Sequence, residues 1–451
     1  MREIKDSGVP WIGEIPKDWG IGYLQQIAAK EKNAVTDGPF GSDMKTDDYV
    51  EEGVPIIQLG NITPNQHKLT SLKFVSPQKA ESLNRHAAFP GDIVVAKMMP
   101  SGKAAIVSAQ FEKYIIAADV IKVKVAPMQS NRYFCYCINA VSSIEANLGS
   151  IGATRSRINL GDGKKLKVII PPFDEQCRIA DFLDNKCAEI DAILEKTRAS
   201  IEDYKKLKQA VITEAVTKGI RGDRPMKDSG VEWIGMIPTD WIICRVKHVL
   251  VSGKEGIKIG PFGSSLTNKV DGDGAYKVYG QWNIVDKDFS AGKNYVSADT
   301  FHELNAYQVF PGDVLISMMG TIGKCATIPE GICEGIMDSH VIKARLNENK
   351  ITSRFFELIY DKDNSSFIFD QMQVKKKGSI MDGLNSTIVK NLFLTLPPLP
   401  EQQIIAAYLD EKCATIDSLI ASKEALITEL EAYKKSIIYE YVTGKKEVPA
   451  V

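Results

Sequence analysis

The eight cysteines in 451 residues are too sparse for a disulfide framework, and the five histidines show no CxxC or HxxxH spacing that a metal site could use. No stretch reaches the ~18–20 uninterrupted apolar residues of a membrane helix. Met1 to Pro10 is charged and lacks the apolar core of a secretion signal, so a cytoplasmic protein with no membrane contact is expected. An excess of one charge is missing as well. The 56 Lys+Arg against 57 Asp+Glu leave a net charge of −1, so any nucleic-acid contact must rest on local basic patches. Signatures of catalysis are also absent. Gly102-Lys103-Ala104 and Gly323-Lys324-Cys325 resemble the end of a phosphate loop. However, Lys97 and Met318 stand where the first glycine is required, and Ala104 and Cys325 where Ser or Thr is required. Methyl-donor loop, nucleophile elbow and HExxH are not found, so no chemistry of its own and no catalytic residue is expected. With 44% apolar and 25% charged residues, the chain has what two to four globular domains need.

What the sequence does contain is a duplication. Asp6 to Trp19 (DSGVPWIGEIPKDW) and Asp228 to Trp241 (DSGVEWIGMIPTDW) share 11 of 14 residues at an offset of 222. The same offset carries GPFGS at Gly38–Ser42 onto Gly260–Ser264, and Asn61-Ile62 onto Asn283-Ile284. FPGD recurs at Phe89–Asp92 and Phe310–Asp313, and Pro171–Thr217 aligns without a gap onto Pro397–Thr443 with 20 identities in 47 positions. Each copy is thus a globular part followed by a long segment.

That long segment reads as a helix. Cys187, Ile190, Leu194, Thr197, Ile201, Tyr204, Lys208, Val211 and Ala215 alternate by three and four residues, the a/d seam of a heptad repeat. In the same phase stand Cys413, Ile416, Ile420, Lys423, Ile427, Leu430, Lys434 and Ile437, and Leu183 and Leu409 extend the two cores upstream. Pro171-Pro172 and Pro397-Pro398 precede the helices, Glu175 and Glu401 suit their positive ends, and Gly219 and Gly444 stand where they should stop. An isolated rod of ~43 residues, about 64 Å long, would expose its apolar stripe. The two seams are therefore expected to pair, antiparallel by connectivity, with the globular parts at opposite ends and a pseudo-two-fold axis between them. Lys208 and Lys434 are expected to tune register.

Residues 20–170 and 242–396 show short β-type runs between turn signals. Examples are Val54–Ile57, Asp92–Ala96, Val120–Val125, Lys167–Ile170, Asp313–Ile316 and Phe393–Leu396, with helical stretches at Arg132–Asn147 and Ser353–Tyr360. The expected fold is mixed α/β, largely antiparallel: domains at 1–170 and 220–396, long helices at 171–219 and 397–451.

Together, the two DSGV-WIG-IP-W blocks, the two GPFGS loops, the FPGD turns and the PP-x-x-EQ starts of the long helices closely resemble the specificity (S) subunit of type I restriction-modification systems. The resemblance covers essentially the whole chain. It implies a non-catalytic DNA-recognition subunit whose two target recognition domains each read one half of a bipartite, asymmetric double-stranded DNA sequence. The resemblance further implies two modification (M) subunits that bind S-adenosylmethionine and methylate adenine, and restriction (R) subunits that use ATP and Mg. No cofactor is implied for this chain. The alternative is a coiled-coil scaffold without a DNA role.

Two domains reading different half-sites should diverge at base contacts and agree at backbone contacts. The copies diverge most across Asp43–Leu59 against Ser265–Gln281 and across Thr63–Ala88 against Val285–Val309. Shared backbone contacts are expected at Ser42 and Ser264 in the glycine loops and at Lys103 and Lys324. Lys45 and Ser265 lie just beyond those loops. Basic clusters ahead of each long helix hold Arg155, Arg157, Lys375, Lys376 and Lys377. Gln58, Gln281 and Asn283 have side chains that can pair with adenine, and Arg155 one that can pair with guanine; Asn61 is a further expected DNA contact.

Overall fold

The structure, a computed structural model, describes residues 2–98, 100–148, 157–266, 270–271, 276–364, 368, 370–372 and 384–449. It divides into two compact units, residues 1–197 with 425–451 and residues 198–424.

In the first unit a four-stranded antiparallel sheet runs in the order Ala104–Ile106, Ile93–Ala96, Val120–Val123, Val35–Asp37. Every residue of Ile93–Ala96 is buried, as its unbroken apolar run requires of a strand covered on both faces. Beside it lies a five-stranded sheet ordered Ala87–Ala88, Tyr114–Ile116, Val54–Ile57, Lys73–Val75, Tyr49–Val50. Its pairing of Tyr114–Ile116 with Val54–Ile57 is parallel, so the architecture is mixed and not purely antiparallel. Ser130 caps the helix Asn131–Cys137, which continues through a π-helical turn, Ile138–Ser142, into Ser143–Leu148.

The second unit repeats this plan. Cys325–Thr327, Val314–Ser317, Val341–Ala344 and Ile257–Ile259 form the antiparallel sheet, and Gly335–Met337 pairs in parallel with Tyr276–Tyr279. Thr352 caps Ser353–Tyr360, in the place of the first unit's Ser130.

The long helices span Phe173–Lys218 and Leu399–Val442, and each contributes to both units. In the first unit they pair antiparallel. Phe182 meets Tyr441 at 4.4 Å between ring centroids, and Lys434 Nζ reaches Asp191 at 2.6 Å. The second unit shows the same pairing with the roles exchanged: Lys208 Nζ reaches Asp417 at 2.7 Å, and Lys423 lies over the Tyr204 ring. At the offset of 226, Lys208 and Asp191 correspond to Lys434 and Asp417. Both seam lysines thus end in cross-helix ion pairs, which add little to stability where solvent reaches them. Leu183, Cys187, Ile190, Leu194, Ile201, Leu409, Cys413 and Ile416 are buried. Ile420 and Ile427, expected in the core, are only half-buried. The seam there also holds Tyr204 and Lys423, polar side chains in place of aliphatic ones.

Candidate nucleic-acid interface

The frame that holds each domain on its helices is built from the repeated motifs. Trp19 and Trp241 are buried, and each indole Nε1 donates 2.9 Å to the first-turn glutamate of a long helix, Glu175 and Glu401 respectively. Arg2 bridges Glu175 and Asp18, and Arg224 bridges Glu401 and Asp240 in the same way. The next residue, Gln176, accepts from the cap residue's Ser130 N–H and donates to Pro171 O; Gln402 does the same with Thr352 N–H and Pro397 O. The EQ of PP-x-x-EQ therefore locks the tryptophan block and the domain helix onto one helix start. Its glutamate owes its place to these donors as much as to the helix dipole. A further tie repeats as Arg132–Asp184 at 2.7 Å and Arg354–Asp410 at 2.5 Å.

On this frame the two GPFGS loops take the same geometry. Gly38 N donates to Val120 O and Gly260 N to Val341 O, while Asp43 N closes a turn on Phe40 O and Ser265 N on Phe262 O. A Cβ on Gly38 would lie 2.0 Å from Ala117 O, and one on Gly260 1.9 Å from Asp338 O, so only glycine permits this approach. The clamp holds the following phenylalanine outward: Phe40 is 82% and Phe262 87% exposed. Composition and periodicity gave no hint of these rings. The available signal was their repetition in two copies that otherwise diverge.

Of the expected residues, Arg157 stands at the base of the first loop. Lys97 Nζ pairs with Asp37 at 2.9 Å, its backbone N–H donates to Asp119 O, and Arg157 pairs with Asp119 at 2.8 Å. Arg157 thus stands at the corner where Gly38 meets Val120. Ser42 is exposed, its hydroxyl 3.3 Å from Asp43 Oδ1. Lys45 is exposed, and Gln58 is half-buried at the end of Val54–Ile57. In the second unit Ser264 and Ser265 are exposed, and Gln281 is half-buried with its Oε1 accepting from Met319 N at 3.0 Å. Lys103 is half-buried at the start of Ala104–Ile106.

Three expectations need correction. Asn61 and Asn283 are buried pins of their own turns. Asn61 Oδ1 accepts from Gln58 N and its Nδ2 donates to Lys68 O and Thr70 O. Asn283 does the same with Gly280 N, Asp288 O and Ala291 O. With these groups committed, Asn283 is not free to read adenine, nor the Asn61 amide to contact DNA. Lys324 pairs with Asp363 and lines a cavity of about 450 Å³ together with Lys208, Arg354, Asp361, Asp410 and Asp417. It therefore faces the long helix and not the loop corner. Arg155, Lys375, Lys376 and Lys377 lie outside the described residues.

Beneath the turn that follows each asparagine, the copies solve one problem with different chemistry. Asn65 (φ 62°) and Lys287 (φ 53°) occupy the same left-handed position. Asn65 Oδ1 accepts from Asn139 Nδ2 at 2.8 Å, and that nitrogen also lies 3.8 Å from Cys135 Sγ. At the same offset of 222, Lys287 Nζ lies 2.6 Å from Glu357 and 3.5 Å from Asp361. A neutral Asn–Cys–Asn set is replaced by a charged Lys–Glu–Asp set.

Two equivalent frames, each pinned by a Trp–Glu–Arg lock to long paired helices and each presenting the same glycine loop, define a protein of duplicated recognition domains. The profile of the type I restriction modification DNA specificity domain matches residues 16–203 and 259–432, and the chain belongs to that family. It is 25% identical over 450 residues to a Methanocaldococcus jannaschii protein with the provisional name MjaX type I restriction enzyme specificity subunit, covering 97% of this chain and 96% of the other. It is 23% identical to the StySPI specificity subunit of Salmonella potsdam, over 96% and 90% of the two chains. Among solved structures, a chain from a study of complex assembly and conformational transition of the type I R-M system superposes with a TM-score of 0.69 at 15% identity, covering 96% of this chain and 99% of that one. The HsdS subunit from Thermoanaerobacter tengcongensis gives 0.51 at 16% identity, over 96% and 98%. These likenesses carry the fold, and the family membership sets aside the scaffold alternative. Among the described residues no helix is long and apolar enough to cross a membrane.

Proposed function

We propose that this chain is the DNA specificity subunit of a type I restriction-modification complex. In this reading the domain after each tryptophan block reads one half of a bipartite, asymmetric sequence, and the paired helices set the separation of the halves. The observation that carries it is the duplication itself: one frame is kept twice, down to the Trp–Glu and Arg–Asp ties, while the segments after each glycine loop diverge. A protein reading two different half-sites needs that combination. Ser42, Lys45, Gln58, Arg157, Ser264, Ser265 and Gln281 remain the described residues proposed to touch DNA, with Lys103 held nearer the frame.

The chain is read as non-catalytic, working in the cytoplasm with two M subunits and with R subunits. S-adenosylmethionine belongs to M, ATP and Mg belong to R, and this chain carries no cofactor. Leu426 and Tyr433, exposed seven residues apart on the second long helix, offer the M subunits an apolar contact.

Sequencing of methylated sites in cells producing this chain with its M subunit tests the reading. One bipartite sequence is expected, and exchange of residues 20–170 for those of a relative should change one half only. Simultaneous change of both halves would show that the domains do not read DNA separately.

A further inference from the structure

The two glycine loops present what no contact among the described residues explains, a phenylalanine held in water on a clamped turn, twice. The backbone that carries each ring is held from both sides, by the glycine N–H bond before it and by the turn bond onto the phenylalanine's own carbonyl after it. The loop cannot fold back to bury the ring without breaking the glycine's close approach to Ala117 O or Asp338 O. We propose that Phe40 and Phe262 are aromatic contacts to the DNA duplex, one at each half-site, set as apolar wedges against a base step. The proposal rests on the reading of the chain as a DNA specificity subunit and names the shared, sequence-independent contact of that reading.

The occupant follows from position and chemistry. Each ring stands immediately before the segment where the copies diverge most, Asp43–Leu59 and Ser265–Gln281, so it borders the stretch assigned to base reading. The first ring's loop also shares its corner with Arg157, whose side chain is 53% exposed. A phosphate contact at the shared serines does not account for the exposed ring beside each. Ser42 has Asp43 against its hydroxyl, and exposed Asp43 and Asp47 flank the first loop, whereas Ser264-Ser265 follow the second. The loops share their glycines, proline and serine as well as the ring, and the ring is the shared large apolar group left exposed. An aromatic face suits a residue that is the same in two domains reading different sequences, because every base offers a π-face and wedging at a base step needs no particular hydrogen-bond pattern.

The test uses the full chain assembled with its M subunits. Assembly is followed by native mass spectrometry, and binding to a duplex carrying the methylated sequence by fluorescence anisotropy over a range of salt. Phe40→Ala and Phe262→Ala are each expected to weaken binding about ten-fold, the size of one aromatic–base contact. The slope of log K against log[salt] should stay unchanged because no charge is lost. Assembly should be unaffected, and Phe→Trp at either position should keep affinity within about two-fold, since the larger ring still stacks. Unchanged affinity in both alanine variants overturns the proposal. So does loss of assembly with M, which would make the rings protein contacts. If the unsubstituted complex selects no bipartite sequence, the specificity reading itself fails. If it selects one and the rings are neutral, only this inference fails.

Discussion

Replacing Lys287 with Asn should unbalance the second unit in a way the first unit shows how to repair. The ammonium faces Glu357 and Asp361, which are 6% and 1% exposed, so its removal leaves two buried carboxylates short of a partner. Breaking a buried pair typically costs ~3–5 kcal/mol. The Lys287 side chain is 43% exposed, and Glu357 keeps Arg354 at 3.4 Å and the Thr327 hydroxyl at 3.2 Å. Solvent screening and these partners reduce the expected loss to about 2–3 kcal/mol. The triple variant Lys287→Asn, Glu357→Cys, Asp361→Asn installs the set found at Asn65, Cys135 and Asn139. Asn suits the left-handed backbone at 287, and neutral replacement of buried ions is often neutral or stabilising. The triple variant should therefore lie within about 1 kcal/mol of the parent or above it, a large non-additive rescue. Burial pushes the Asp361 carboxyl above its ordinary value of 3.8, against the pull of Lys287 and Lys324. The folded parent thus holds that proton more tightly than the unfolded chain, so its stability falls as pH rises through the window above 3.8. The triple variant lacks this loss, and its standing relative to the parent should improve from acid toward neutral pH. Urea unfolding followed by circular dichroism at several pH values measures all of this. A costless single variant, or a triple variant as unstable as the single, would refute the reasoning.

Trp19→Ala and Trp241→Ala each remove a buried ring and one donor to a first-turn glutamate, and should cost ~3–5 kcal/mol before they affect assembly. A variant with parental thermal stability that fails to bind M would reassign the tryptophans to docking. Inserting four residues after Ala199 adds about 6 Å of helix and about 40° of turn. At ~3.4 Å per base pair, sequencing of methylated sites should show the gap between half-sites lengthened by one to two base pairs. An active variant with an unchanged gap would place spacing control in the M subunits.

The chain alone carried the architecture because its signals are local and given twice. The alternation of three and four from Cys187 to Ala215 is a property of neighbours on one helix, and strands such as Val54–Ile57 are legible from β-branched runs bounded by turns. Duplication then distinguished frame from variable segments with no second protein for comparison. Whether a given side chain faces water was not written locally. Asn61 resembles a DNA contact until Lys68 O and Thr70 O, seven and nine residues on, take up its amide. Lys324 resembles a phosphate ligand until Asp363 meets it. Phe40 would be assigned to a core by type, yet the carbonyl of Ala117, brought up by another strand, fixes the glycine turn that holds the ring in solvent. Residue order thus determined the repeat, the helices and the strands. Tertiary structure decided burial and commitment, because hydrogen-bond partners and steric limits come from chain far away in sequence.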